Sequence, residues 1–167
     1  MPKKVLITQP IDPQGIDLLK NAGLSVDVWP GPEPIPDAVL RDRIRGCVGL
    51  VSMLTDPIDA DLMTRGPLKV VAQHAVGTNN IDLKAAQSQG VRVAHTPGVL
   101  TAATADLAMA LLLSTARRII ESDRYVREGR WKGWSPTLMR GMELNGAVLG
   151  IVGMGRIGQA VAHRAAA

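Results

Sequence analysis

The amino-acid sequence predicts an α/β fold built on a doubly wound parallel sheet, and three observations carry that expectation. Short aliphatic, β-branched runs alternate with helical segments as far as residue 98. The helical segments close at Gly23, Gly46, Gly66 and Gly90, and glycine accepts the left-handed conformation that ends a helix. Aromatic residues are scarce: among 167 residues there is no Phe, one Tyr and three Trp, so the core must come from Val, Leu, Ile, Ala and Met. Aliphatic strands of this kind suit a parallel sheet covered by helices.

Taken in order, Lys4 to Thr8 (KVLIT) reads as the first strand. Asp12 supplies an N-cap and Pro13 a first-turn residue whose missing N–H is not needed there. Ile16, Leu19 and Ala22 share one helical face up to Gly23. Leu24 to Trp29 is the second strand, Pro30 to Pro36 a proline-rich loop, and a helix follows from about Asp37 to Arg45. Cys47 to Ser52 is the third strand, with a short helix starting near Asp59. Leu68 to Gln73 is the fourth strand, Asp82 caps another helix, and Val91 to His95 is the fifth strand before Thr96-Pro97-Gly98 breaks the pattern. Such alternation implies right-handed crossovers and a flavodoxin-like layer. Ligands in these sheets bind beyond the carboxyl ends of the strands, which singles out the loops Ser52–Thr55 and Ala75–Asn80.

From Thr101 to about Glu128 there is neither Gly nor Pro, and the segment predicts one long linking helix. Leu107, Ala110 and Leu111 lie on one stripe while Met109, Leu112 and Leu113 make other faces apolar, so the helix is expected to be buried between layers. Gly129 and Trp131 to Pro136 form an irregular arm. Ala147 to Val152 then reads as an aliphatic strand, followed by the G-x-G-x-x-G of Gly153, Gly155 and Gly158 and a helix from Gln159. In that strand–turn–helix context the motif points to a dinucleotide and to the first βα unit of a Rossmann cofactor domain. Gly153 permits the tight turn, Gly155 leaves room for a pyrophosphate, and Gly158 lets the helix pack closely. The helix N-terminus faces the anion with free N–H groups and a favourable dipole. The acidic residue that reads the ribose hydroxyls is expected about 20 positions further on, beyond Ala167, so the sequence leaves NAD and NADP both open.

Composition excludes several other classes. With 46% apolar and 20% charged residues the chain is neither disordered nor membrane-like. The most apolar run, Leu107 to Leu113, is far too short to span a bilayer, and the N-terminal apolar stretch is too short for a signal peptide. A cytoplasmic protein is expected. The net charge is +4 and the pI near 9.6. Much of the excess comes from Arg117, Arg118, Arg124, Arg127, Arg130 and Lys132, interleaved with Glu121, Asp123 and Glu128, which describes a solvated or subunit-facing helix better than a nucleic-acid groove. Cys47 is the one cysteine, so no internal disulfide or multi-cysteine metal site is expected.

Three stretches together resemble the D-isomer-specific 2-hydroxyacid dehydrogenases. VVAQHAVGTNNIDLKAA is similar to that family's substrate-carboxylate loop, HTPGVLTAATADLAMALLLSTARR to its hinge and linking helix, and GMELNGAVLGIVGMGRIGQAVAHRA to its cofactor loop. WKGWSP is most similar to the glyoxylate/hydroxypyruvate reductase branch. Ala147 and Val148 follow Gly146 where the family commonly has Gly-Lys-Thr, a departure confined to the strand approach.

The resemblance implies a substrate domain over residues 1–98. Residues 99–167 would hold the linking helix, a dimerisation arm and the start of an NAD(P)-binding domain. Backbone amides of Val76 and Gly77 would hold the substrate carboxylate, and Trp134 would reach the partner subunit's active site in a homodimer. Thr104 would touch the nicotinamide side of the cofactor, with Gly155, Arg156 and Ile157 on the pyrophosphate. The activity implied is hydride transfer between NAD(P)H and a small 2-oxoacid, with closure about Pro97-Gly98. The family's catalytic Arg, Glu and His lie beyond Ala167, and the 167-residue chain alone is expected to be inactive. His74 could contact substrate, whereas His95 and His163 read as structural or exposed. The alternative is a non-catalytic subunit that pairs through Tyr125 to Trp134 with a full-length dehydrogenase and regulates it.

Overall fold

Five strands, β1 (Lys4–Ile7), β2 (Ser25–Val28), β3 (Cys47–Ser52), β4 (Val70–Gln73) and β5 (Arg92–Ala94), form one sheet in the order β2-β1-β3-β4-β5. Every neighbouring pair is parallel. This is the doubly wound flavodoxin order, with the direction of winding reversing between β1 and β3. The computed structural model describes residues 2–167, which divide into two compact units between Pro97 and Gly98.

In the first unit the crossovers are α1 (Pro13–Asn21), α2 (Asp37–Arg43), α3 (Ala60–Thr64) and α4 (Leu83–Ser88). Three of their starts are set by side-chain caps. Asp12 accepts from the Gln14 amide at 2.8 Å, Asp59 from the Leu62 amide at 2.8 Å and Asp82 from the Ala85 amide at 2.9 Å. Gly23, Gly46 and Gly90 end helices with φ of 78°, 84° and 68°. Gly66 serves differently: a Cβ there would stand 2.6 Å from the Ile44 carbonyl oxygen, so it is a close-approach residue and not a left-handed one. Leu6, Leu40, Ile44, Leu50, Leu62 and Val71 are buried between the layers and form the aliphatic core. Cys47 is buried there as well, and desolvation pushes its thiol pKa up.

The second unit departs from expectation in three respects. The single helix expected from Thr101 to Glu128 is two, α5 (Thr101–Ala116) and α6 (Ile119–Arg127). Arg118 lies between them in the left-handed region at φ 54°. The cause is a competing stretch of chain: the Met142 amide takes the Ala116 carbonyl at 2.7 Å, and Gly141 packs directly against that same carbonyl. The Ala116 carbonyl is thus taken by Met142, and the Arg118 amide closes α5 by turning to the Thr115 carbonyl at 3.2 Å.

The burial expected of α5 is also corrected. Only Ala105 is buried, and Leu107 and Leu111 are each 59% exposed. One face is covered by α7 (Arg156–Ala165), tied to α5 by Arg164 and Asp106 at 2.6 Å, and the others face solvent. Finally, Ala147 to Val152 forms no strand among the described residues. A strand requires a partner edge for its N–H and C=O groups, and the second unit has none; Val148 and Val152 are fully exposed. Among the described residues no helix is long and apolar enough to cross a membrane.

Candidate functional site

The carboxyl ends of β1, β3 and β4 end in polar side chains that are buried: Thr8, Ser52 and Gln73, joined by Asp56. Buried polar groups require partners, and these supply one another. Thr8 Oγ1 and the Met53 amide both donate to Asp56 Oδ2, at 2.5 and 2.7 Å. Ser52 Oγ donates to Gln73 Oε1 at 2.6 Å, and Gln73 Nε2 donates to Asn80 Oδ1 at 2.9 Å. Asn80 Nδ2 completes the net by donating to the carbonyls of Met53 and Asp56, at 3.0 and 2.8 Å. Asp56 Oδ1 is buried without a partner. Backbone bonds add to the staple, from the Ile58 amide to Asn80 O and from the Asp82 amide to Ile58 O, both at 2.9 Å. The two loops flagged by topology are thus held together, with Leu54 lying against Gly77.

Within the loop 75–80 the carbonyls and amides behave differently. Ala75 O accepts from the Thr96 amide at 3.0 Å, Val76 O lies 2.9 Å from His95 Nδ1, and Gly77 O lies 3.4 Å from Gln73 Nε2. The amides of Val76, Gly77 and Thr78 find no acceptor among the described residues, and Val76 is exposed. Preformed donors of this kind can hold an anion with little reorganisation. Sequence reasoning singled out Val76 and Gly77 but missed Asp56, Gln73 and Asn80. The available signal was for Gln73 alone, a polar residue closing an aliphatic strand as Ser52 closes β3; Asp56 and Asn80 lie in loops and carried none.

In the second unit Gly153 stands at φ 95° and Gly155 precedes α7 as an N-cap without a side-chain bond. The amides of Arg156, Ile157 and Gly158 have no acceptor among the described residues. A Cβ on Gly155 would meet open space, whereas one on Gly158 would collide with the Gly153 carbonyl. The turn therefore offers helix N-terminal donors behind a bare backbone, the arrangement that admits a pyrophosphate. Thr104 lies on the first turn of α5 and is exposed. Trp134 is 85% exposed and borders a cavity of about 280 Å³ with Tyr125, Val126 and Trp131. His74, His95 and His163 are exposed, and no histidine pairs with a carboxylate among the described residues. No group of three or more His, Cys, Asp or Glu that could hold a metal ion occurs among them either.

Fold and turn define a parallel α/β protein with a glycine-rich turn opening a helix. The chain belongs to the D-isomer specific 2-hydroxyacid dehydrogenase family, whose catalytic-domain model matches residues 5–165. It is 49% identical to a glyoxylate reductase of Korarchaeum cryptofilum over 167 residues, covering 99% of this chain and 50% of that protein. The crystal structure of TT0316 protein from Thermus thermophilus superposes with a TM-score of 0.94 at 51% identity, over 98% of this chain and 52% of that one. A structure from Polaromonas sp. JS6 66, described as a candidate D-isomer specific 2-hydroxyacid dehydrogenase, NAD-binding, gives 0.90 at 38% identity, over 99% and 52%. The chain spans about half the length of the curated relatives it matches.

Proposed function

We propose that this protein serves hydride transfer between a nicotinamide dinucleotide and a small 2-oxo or 2-hydroxy acid of the glyoxylate or hydroxypyruvate kind. In this reading the first unit is the substrate domain and the second begins the cofactor domain. The observation that carries it is two sets of amides without an acceptor among the described residues, at Val76 and Gly77 and at Arg156 to Gly158 beside open Gly155. The first suits one carboxylate and the second a pyrophosphate. Family membership and the likeness to glyoxylate reductases support the substrate class.

Gly153, Gly155, Arg156, Ile157 and Gly158 would hold the cofactor's phosphates, with Thr104 on its nicotinamide side. Bound there, the dinucleotide supplies the hydride chemistry. NAD and NADP are alike in these parts, so either satisfies the turn. Trp134 would serve a partner subunit's substrate in a homodimer. Among the described residues no histidine pairs with a carboxylate of the kind that tunes an acid–base imidazole, which supports a binding role for these residues.

Titration of the 167-residue protein with NADH and NADPH, with and without oxalate, tests the reading by cofactor fluorescence. Binding of a dinucleotide that oxalate strengthens is expected; absence of both dinucleotide and oxalate binding refutes it. An assay of glyoxylate reduction should show no turnover, and clear turnover would overturn the assignment of a binding role alone.

A further inference from the structure

The three carbonyls of Ala75, Val76 and Gly77 are each held by a neighbour, and the three amides that follow them have no acceptor among the described residues. These facts are linked by geometry. A trans peptide is planar, so a carbonyl and the N–H attached to it point in opposite directions, and the described residues contain no cis peptide. Tying down the Ala75 carbonyl turns the Val76 amide outward. Tying down the Val76 carbonyl does the same for Gly77. Both ties come from consecutive residues just past β5, through the Thr96 amide and the His95 ring.

The Thr96 contact is backbone and any residue but proline would make it. The His95 contact depends on the side chain. A carbonyl only accepts, so the ring must present its proton on Nδ1, and the contact selects that tautomer. His95 is exposed and lies outside the apolar core, so packing does not account for its place. Glycine at 77 makes the tie more important, because an unrestrained peptide next to glycine turns easily.

We infer that His95 is a positioning residue for small carboxylates: its Nδ1–H holds the Val76 carbonyl and thereby aims the Gly77 amide at the ligand. This rests on the reading of the loop as a carboxylate cradle. The ring does not touch the ligand; it acts through one peptide plane.

The test uses the ¹⁵N-labelled 167-residue protein and oxalate, an unreactive small dicarboxylate. In the native protein oxalate should shift the amides of Val76, Gly77 and Thr78, and His95 should show the Nδ1–H tautomer. His95→Ala should weaken oxalate about threefold to tenfold, the value of one hydrogen bond, without moving the urea midpoint. His95→Asn, whose side-chain amide also offers an N–H, should recover most of the loss. Equal oxalate affinity in the native and H95A proteins overturns the inference and leaves the carboxylate reading standing. Undisturbed loop amides in the native protein overturn both. Should H95A fail to fold, an Nε2–H tautomer at His95 in the native protein overturns the inference independently.

Discussion

Gly158 packs against the carbonyl of Gly153 so closely that a Cβ on Gly158 would overlap that oxygen. Gly155, between them in the chain, has φ −75° and open space where its Cβ would be. The two glycines of one motif therefore answer to different demands. Gly158→Ala should destabilise the turn by about 2 kcal/mol, because backbone must move to admit the methyl group. Gly155→Ala should fold normally and bind dinucleotide at least tenfold less well. Urea unfolding and NADH titration on both variants separate the effects. A G155A protein that binds as tightly as the native one would remove the pyrophosphate from this turn.

Asn80 joins both loops of the first unit through three side-chain contacts, accepting from Gln73 and donating to the Met53 and Asp56 carbonyls. Asn80→Ala leaves the buried Gln73 amide only its long contact to the Gly77 carbonyl and removes the side-chain donor from the Asp56 carbonyl, while the Met53 carbonyl keeps the Asp56 amide. The expected loss is about 2–3 kcal/mol in urea denaturation. The Ile58 and Asp82 amides, which zip the same loops, should also exchange faster with solvent. Asn80→Asp should be worse, since a carboxylate would face two carbonyl oxygens. Unchanged exchange at both amides in N80A would show that the backbone bonds suffice without the side chain.

The sheet of the first unit was legible because most crossovers carry their own punctuation: an aspartate cap before the helix and a glycine after it. Asp12, Asp59 and Asp82 all cap as their sequence context indicates. The second unit was less legible because its departures are tertiary. Nothing in the residues around Ala116 announces that Met142, 26 positions along, will take its carbonyl. Likewise Ala147 to Val152 has strand-forming residues, but propensity cannot supply the neighbouring edge that makes a strand. At the loop 75–80 the amides without an acceptor among the described residues follow from the motif, whereas the carbonyl ties to His95 and Thr96 require the fold.

Acid should loosen α3 through one carboxylate. Hydrogen bonds from Arg41, then from the Leu62 amide, lower the Asp59 pKa to about 2. Arg41 reaches it with contacts of 3.0 and 2.8 Å and also binds Asp37 and Asp61. A depressed folded pKa contributes stability that is complete above the unfolded value, near 4, and lost as pH falls toward 2. Half of the Asp59 side chain is exposed, so screening limits the contribution to less than about 1 kcal/mol. Carboxyl-carbon NMR titration should place Asp59 well below an ordinary aspartate. Arg41→Met should move it back up and flatten the stability slope between pH 4 and 2. An Asp59 pKa that stays low in R41M would assign the depression to the Leu62 amide alone.

Arg118 is the strained residue between α5 and α6, at φ 54° and ψ 39°, where a side chain is disfavoured and glycine is not. Its guanidinium pairs with Glu121 and lowers that carboxyl's pKa, but both side chains are largely solvated and the pair adds little. Backbone relief should therefore outweigh the lost ion pair. Arg118→Gly should raise the melting temperature by about 1–4 °C, and Arg118→Asn, which tolerates the left-handed region, by less. Arg118→Ala loses the guanidinium while keeping the strained backbone, so it should show no gain. That ordering isolates the peptide conformation from the charge. If R118G melts lower than R118A, the kink is held by the arginine side chain, and the competition for the Ala116 carbonyl does not by itself explain where α5 stops.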